Sequence, residues 1–138
     1  MGKKKLVLDT NILISALGWE GKPRDIFKKV LNKEYELILS HKQMIEIKRV
    51  MDYPKFNFTY EQKSRFLTIL VEAAILVKTS DRLNVIYEDP DDNIILESAV
   101  DNGADYLITG DDHLLKLKQY KNVKILTASQ FFEEQQEL

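Results

Sequence analysis

Acidic residues stand at the ends of short apolar runs, where a hydrophobic chain gains nothing from a charge. Lys5-Leu6-Val7-Leu8 runs into Asp9, and Tyr106-Leu107-Ile108-Thr109-Gly110 runs into Asp111 and Asp112. Between them, Asp89-Pro90-Asp91-Asp92 opens a helical pattern. Short apolar runs of this kind read as buried strands, and the carboxyl ends of such strands face the crevice where open α/β sheets bind ligands. Two carboxylates about 4 Å apart repel by roughly 4 kcal/mol at an effective dielectric near 20. Several gathered together would remove much of a domain's stability of about 5–15 kcal/mol unless something positive joins them. The pattern therefore points to divalent metal and phosphate chemistry. Hard oxygen donors suit one or two Mg²⁺ or Mn²⁺ ions, which keep several waters and bridge readily to phosphate.

The elements that must position these acids follow from periodicity. Strands are expected at about Lys4 to Asp9, Glu36 to Leu39, Ile75 to Val77, Tyr106 to Thr109 and Val123 to Leu126. Helices are expected over Thr10 to Leu17, Arg24 to Asn32, Ser40 to Met51, Thr59 to Ala73, Pro90 to Gly103 and Asp112 to Leu117, with a last one after Ser129. Ser40 with Gln43 has the spacing of a capping box. Asp89 and Ser129 read as helix caps, and Pro90 and Gly103 mark the start and end of one helix. Phe66, Leu67, Leu70 and Val71 form an apolar stripe. Strands alternating with helices predict a mostly parallel sheet of about five strands with helices on both faces, an α/β fold. Lys78 to Glu88 is the least regular stretch.

Each acid also has a purely structural reading. Asp9 can cap the helix that starts near Thr10, or ligate a metal at the strand end. Asn11 can hold neighbouring carboxylates in place or simply serve a turn. Glu46 falls at the margin of an arc formed by Met44, Ile45, Ile47, Val50 and Met51. It is either a solvated partner of Lys42 or Arg49 or a member of the site, because its helix leaves the sheet at the same end as Asp9. Asp92 sits in a first turn, where the helix dipole favours acids. It is also in phase with Leu96 and Ala99, while Asp91 is rotated away. Asp111 can cap the helix after it, Thr109 can lend a hydroxyl, and Asp112 reads as a supporting or solvated acid.

Bulk composition fits these readings. The chain has 138 residues, the length of one domain spanning 1–138, with a formal charge of −2 and no cysteine. Such a charge argues against a nonspecific DNA binder, which is normally strongly basic, although two bound divalent cations would reverse its sign. Disulfides and thiolate metal sites are excluded. No apolar run reaches the roughly 18 to 20 residues that cross a bilayer, and Leu6-Val7-Leu8 is too short for a signal-peptide core. A cytoplasmic protein without a membrane association is expected.

Val7-Leu8-Asp9-Thr10-Asn11-Ile12-Leu13, then Asp89-Pro90-Asp91-Asp92-Asn93, then Leu107-Ile108-Thr109-Gly110-Asp111 with Leu114-Leu115, resemble the PIN domain. The resemblance is strongest to the branch described as toxin components of toxin–antitoxin systems, the VapC-like ribonucleases. It implies a three-layer α/β/α sandwich and an Mg²⁺- or Mn²⁺-dependent endoribonuclease. It carries the family's acidic site onto Asp9, Glu46, Asp92 and Asp111, with Asn11 and Thr109 at supporting positions. It also implies an RNA substrate, a homodimer and a small cognate antitoxin. Two departures stand out: His113, where relatives often have a small or acidic residue, and Glu88, where many have a basic one. His41 and His113 read as polar surface residues, since metal-assisted hydrolysis needs no further base. Arg24, Lys42, Arg49 and Lys55 are the expected RNA contacts. Tyr53, Phe56 and Phe58 are read either as stacking groups or as packing after Pro54. The competing classes are a PIN fold that binds without cutting and another acidic phosphoesterase. Haloacid-dehalogenase-like phosphatases want an Asp where Asn11 stands.

Overall fold

The structure, a computed structural model, describes residues 2–78 and 90–136, the side chains of Pro90 and Asp91 excepted. The expectations placed on Glu88, on Asp89 as a cap and on the direction of Asp91 lie outside the described residues.

β1 (Lys5–Leu8) is the centre of the molecule, because Leu6, Val7 and Leu8 are all fully buried. A strand buried on both faces needs helices above and below it. Leu6 and Leu8 point into one core with Leu37, Leu39 and Ile108, under α1 (Thr10–Gly18), α2 (Lys22–Leu31), α3 (His41–Met51), α4 (Tyr60–Ala73) and α7 (Ala128–Gln136). Val7 points the opposite way, into a second core with Ile38, Leu107 and Ile125, under α5 (Pro90–Asp101) and α6 (Asp112–Leu115). The result is a three-layer α/β/α fold. Among the described residues no helix is long and apolar enough to cross a membrane.

The remaining strands are β2 (Glu36–Ser40), β3 (Ala74–Val77), β4 (Tyr106–Ile108), β5 (Gln119–Tyr120) and β6 (Val123–Leu126), in the order β3-β2-β1-β4-β6-β5. All pairings are parallel except β5 with β6. From β1 the chain winds outward to β2 and β3, then returns to β4 on the other side of β1. The gap between the carboxyl ends of β1 and β4 is therefore the switch point, where such sheets bind ligands.

The sheet has six strands rather than about five. The extra one, β5, is two residues long and joins β6 through Lys121-Asn122, with Lys121 at φ 52°. So short an edge strand, in a lysine-rich stretch, leaves no periodic signal. The last helix is capped by Thr127 rather than Ser129: Gln130 N–H donates to the Thr127 hydroxyl at 3.1 Å, and the Gln130 side chain accepts from Thr127 N–H at 2.9 Å. Ser40 does cap α3, accepting from Gln43 N–H at 3.0 Å. The Gln43 amide, however, does not turn back to the cap; it donates to the Leu8 carbonyl at 2.7 Å and ties α3 to the end of β1. Ile45 and Val71, both expected on the apolar arcs of their helices, face outward. Ile45 is 68% exposed and leaves its place on the buried arc to Gln43, while Val71 is half exposed at the outer side of α4.

Candidate active site

Backbone register builds the site before any side chain is considered. Leu8 pairs with Ile108, and Asp9 N–H donates to the Ile108 carbonyl at 3.0 Å. Asp9 and Thr109 thus leave their strands side by side. Thr109, fully buried, donates its hydroxyl to the Asp9 Oδ2. The same hydroxyl accepts the Asp111 N–H at 3.0 Å. One Thr oxygen therefore links the acid at the end of β1 to the acid after β4.

Asp9 and Asp111 are also helix caps. Asp9 Oδ1 accepts from Ile12 N–H at 2.8 Å at the start of α1, and Asp111 Oδ1 accepts from His113 N–H at 2.7 Å at the start of α6. The capping and site readings do not exclude each other, because an ionised carboxylate has about four lone-pair positions. Capping fixes the rotamer and leaves oxygen for a cation.

Asp9, Glu46, Asp92 and Asp111 line one cleft of about 470 Å³. Asn11 lies on its exposed rim, and Arg49, Tyr53 and Lys55 also line it. Asp92 is 5% exposed and Asp9 7%, so both are held away from bulk water. Burial pushes the Asp9 carboxyl above its ordinary value, and the neighbouring Asp111 charge adds to this; hydrogen bonds from Thr109, Ile12 and Gly110 act in the opposite sense. A buried carboxyl that resists ionisation beside a second acid is the electrostatic situation that a bound cation relieves.

Among the described residues, one group of side chains brings its ligand atoms all within 4.8 Å of one another: Asp92, Asp111 and His113. Asp9 and Glu46 line the cleft outside that group. Two carboxylates, one from α5 and one from the cap of α6, with one imidazole fit a divalent ion. Asp112 is exposed in the first turn of α6 and has no place in the cleft lining.

The expected RNA contacts divide. Arg49 and Lys55 line the cleft. Lys42 instead faces the buried carboxylate of Glu97 at 3.8 Å. Arg24 donates to the Ala16 and Leu17 carbonyls at 2.9 Å each, satisfying the last turn of α1. Neither Lys42 nor Arg24 lines the acidic cleft, because each is drawn to a local anionic or carbonyl partner that sequence spacing does not reveal. Phe56 and Phe58 stack with ring centroids 5.4 Å apart and pack with Trp19, so the packing reading holds for them. Tyr53 alone of these three aromatics lines the cleft, its hydroxyl accepting from Arg49 at 3.1 Å. Sequence reasoning missed His113 as part of the acidic group and Gln43 as the clamp on β1. The position of His113 two residues after Asp111 was a usable signal for the first; nothing in the sequence marked the second.

A mostly parallel α/β/α sheet with a carboxylate-lined cleft at its switch point defines a class of acidic-site α/β proteins. Within it, the PIN domain family profile matches residues 5–113, and the chain belongs to the PIN domain family. An uncharacterized protein of Methanocaldococcus jannaschii, MJ1680, is 30% identical over 149 residues, covering 96% of this chain and 92% of its own. Two solved structures share the fold. VapBC2 from Rickettsia felis, bound to a DNA fragment from its promoter, superposes with a TM-score of 0.61 at 18% identity, covering 88% of this chain and 96% of the other. PAE2754 from Pyrobaculum aerophilum does so with 0.60 at 15% identity over the full length of both.

Proposed function

We propose that this chain is a divalent-metal-dependent endoribonuclease that hydrolyses RNA phosphodiester bonds in the acidic cleft. The observation that carries the reading is one cleft lined by both signs of charge: Asp9, Glu46, Asp92 and Asp111 together with Arg49 and Lys55, and with Tyr53. Acids alone would repel a polyanion, and cations alone would only bind it. A divalent ion held by the acids, Mg²⁺ or Mn²⁺, would supply an activated water and neutralise charge at the phosphate.

The side chains have separate tasks. Asp92 and Asp111 are the metal-binding carboxylates, with Asp9 and Glu46 direct or through water. Thr109 fixes the Asp9 carboxylate, and Asn11 orients it from the rim. Arg49 and Lys55 hold phosphates flanking the scissile one, the guanidinium with two parallel donors and the ammonium as a point charge. Tyr53 offers a ring on which an unpaired base can stack.

The test compares one sequence as RNA and as DNA, with Mg²⁺, with Mn²⁺ and after chelation. Cleavage of RNA alone, stopped by the chelator and absent in Asp92→Asn, is expected. Cleavage that persists after chelation, or a metal-loaded protein inert on RNA, would sink the reading.

The proposal extends to a toxin role in the cytoplasm, with a small antitoxin whose basic segment fills the acidic cleft. The VapBC2 likeness supports this as a likeness of fold. A homodimer is also part of it: Val71 and Leu76, 50% and 39% exposed, line a groove with Met44 and Leu67 that a second copy could cover. Light scattering that gives a monomer mass at all accessible concentrations would remove the dimer.

A further inference from the structure

We propose that the His113 imidazole is itself a ligand of the ion held at Asp92 and Asp111, making a mixed nitrogen–oxygen site that favours later first-row transition cations over Mg²⁺. The inference rests on the metal-dependent reading above and deepens it by assigning the ion's class to a residue of this chain.

Three observations carry it. The ligand atoms of Asp92, Asp111 and His113 all lie within 4.8 Å of one another. His113 Nδ1 stands 3.6 Å from Asp111 Oδ1. That is too long for a hydrogen bond. It is the spacing of two donors on one ion, since bonds of about 2.1 Å meeting at roughly 90 to 120° place their donors about 3.0 to 3.6 Å apart. Finally, the pair is set locally: Asp111 caps α6 by accepting the His113 N–H at 2.7 Å, and the next residue, Leu114, is fully buried and anchors that turn. Asp92 completes the group from α5.

The donor type gives the selectivity. Carboxylates alone suit Mg²⁺ and Mn²⁺, whereas imidazole strengthens binding along the first-row series toward Co²⁺ and beyond. The competing arrangement is a protonated His113 paired with Asp111. Its consequence has the opposite sign, because an imidazolium at the site opposes any cation. Removing it would tighten metal binding, while removing a ligand weakens it.

Calorimetric titrations of Co²⁺ and Mg²⁺ into the wild-type chain, His113→Ala and His113→Gln read this sign directly. Expected is a Co²⁺ dissociation constant weakened by about tenfold or more in both variants, with Mg²⁺ changed by less than about threefold. In the Co²⁺-loaded wild type, NMR should give a hyperfine-shifted exchangeable imidazole resonance that both variants lack. Unchanged or tighter Co²⁺ binding in the variants, or no shifted imidazole resonance, overturns the inference. Wild-type RNA cleavage in Mg²⁺ separates the two readings. A protein that cuts RNA yet fails the Co²⁺ tests loses only the His113 assignment, whereas a protein that binds neither ion loses both.

Discussion

Thr109 and Asp9, 100 residues apart in the chain, meet at adjacent strand ends, where the buried Thr hydroxyl donates to the Asp carboxylate. The same oxygen accepts the Asp111 N–H, so the geometry of two acids depends on one hydroxyl. Thr109→Val keeps the shape but removes both bonds. It leaves the part-buried Asp111 N–H without its partner and a poorer carboxylate site, a loss of about 1 kcal/mol or more in chemical denaturation. Thr109→Ser restores the hydroxyl and is expected to recover most of the stability and the metal affinity. Equal stability of the Val variant and the wild type would show that the bridge contributes nothing.

Asp9→Asn separates the capping role of this residue from its charge. The Asn oxygen can still accept the Ile12 N–H, so the α1 cap survives while a buried charge disappears. Metal-dependent RNA cleavage should be lost, and the metal-free variant should melt at or above the wild-type temperature. A variant that melts markedly earlier would show that the carboxylate, as acceptor of the Thr109 hydroxyl, is needed for folding and would contradict the idea that its buried charge costs stability.

The same pair of proteins gives a pH dependence. Burial raises the folded-state pKa of Asp9 above 3.8, so folding favours its protonated form. That contribution is complete below pH 3.8 and is lost as pH rises through the folded value. In chelated buffer the stability of Asp9→Asn relative to wild type should therefore increase with rising pH across this window and then level off. Added Mn²⁺, which binds the ionised carboxylate, should reduce or reverse the difference. A stability difference that stays flat with pH would contradict the raised value.

Arg49 and Arg24 should respond oppositely to truncation, though the sequence gives them equal standing. Arg49→Ala, at the cleft, should weaken RNA binding and lower its salt dependence with little change in melting. Arg24→Ala removes the donors on the Ala16 and Leu17 carbonyls and should cost stability while leaving RNA affinity unchanged. Fluorescence anisotropy with a noncleavable RNA, beside thermal melts of both variants, checks the contrast.

Much of this protein was legible before folding because its signals are local. Apolar runs ending in acids placed Asp9 and Asp111 at strand ends. The i+4 and i+7 phase of Asp92 with Leu96 and Ala99 turned it inward, where it is 5% exposed. The motif order around those acids carried the family. Where readings failed, a partner distant in sequence or too short a segment decided the outcome. Gln43 had the spacing of a capping box, but the buried Leu8 carbonyl, 35 residues away, took its amide. Lys42 and Arg24, expected beside Arg49 and Lys55, lie outside the cleft lining, where Glu97 and the end of α1 are their partners. β5 was invisible because two residues cannot show a period. Sequence by itself determined which residues carry charge and which strand or helix end each one occupies, since these follow from neighbours a few positions apart. Only the tertiary structure decided which strand ends become neighbours. The order β2-β1-β4 sets Asp9 against Thr109, and no local pattern specifies that adjacency.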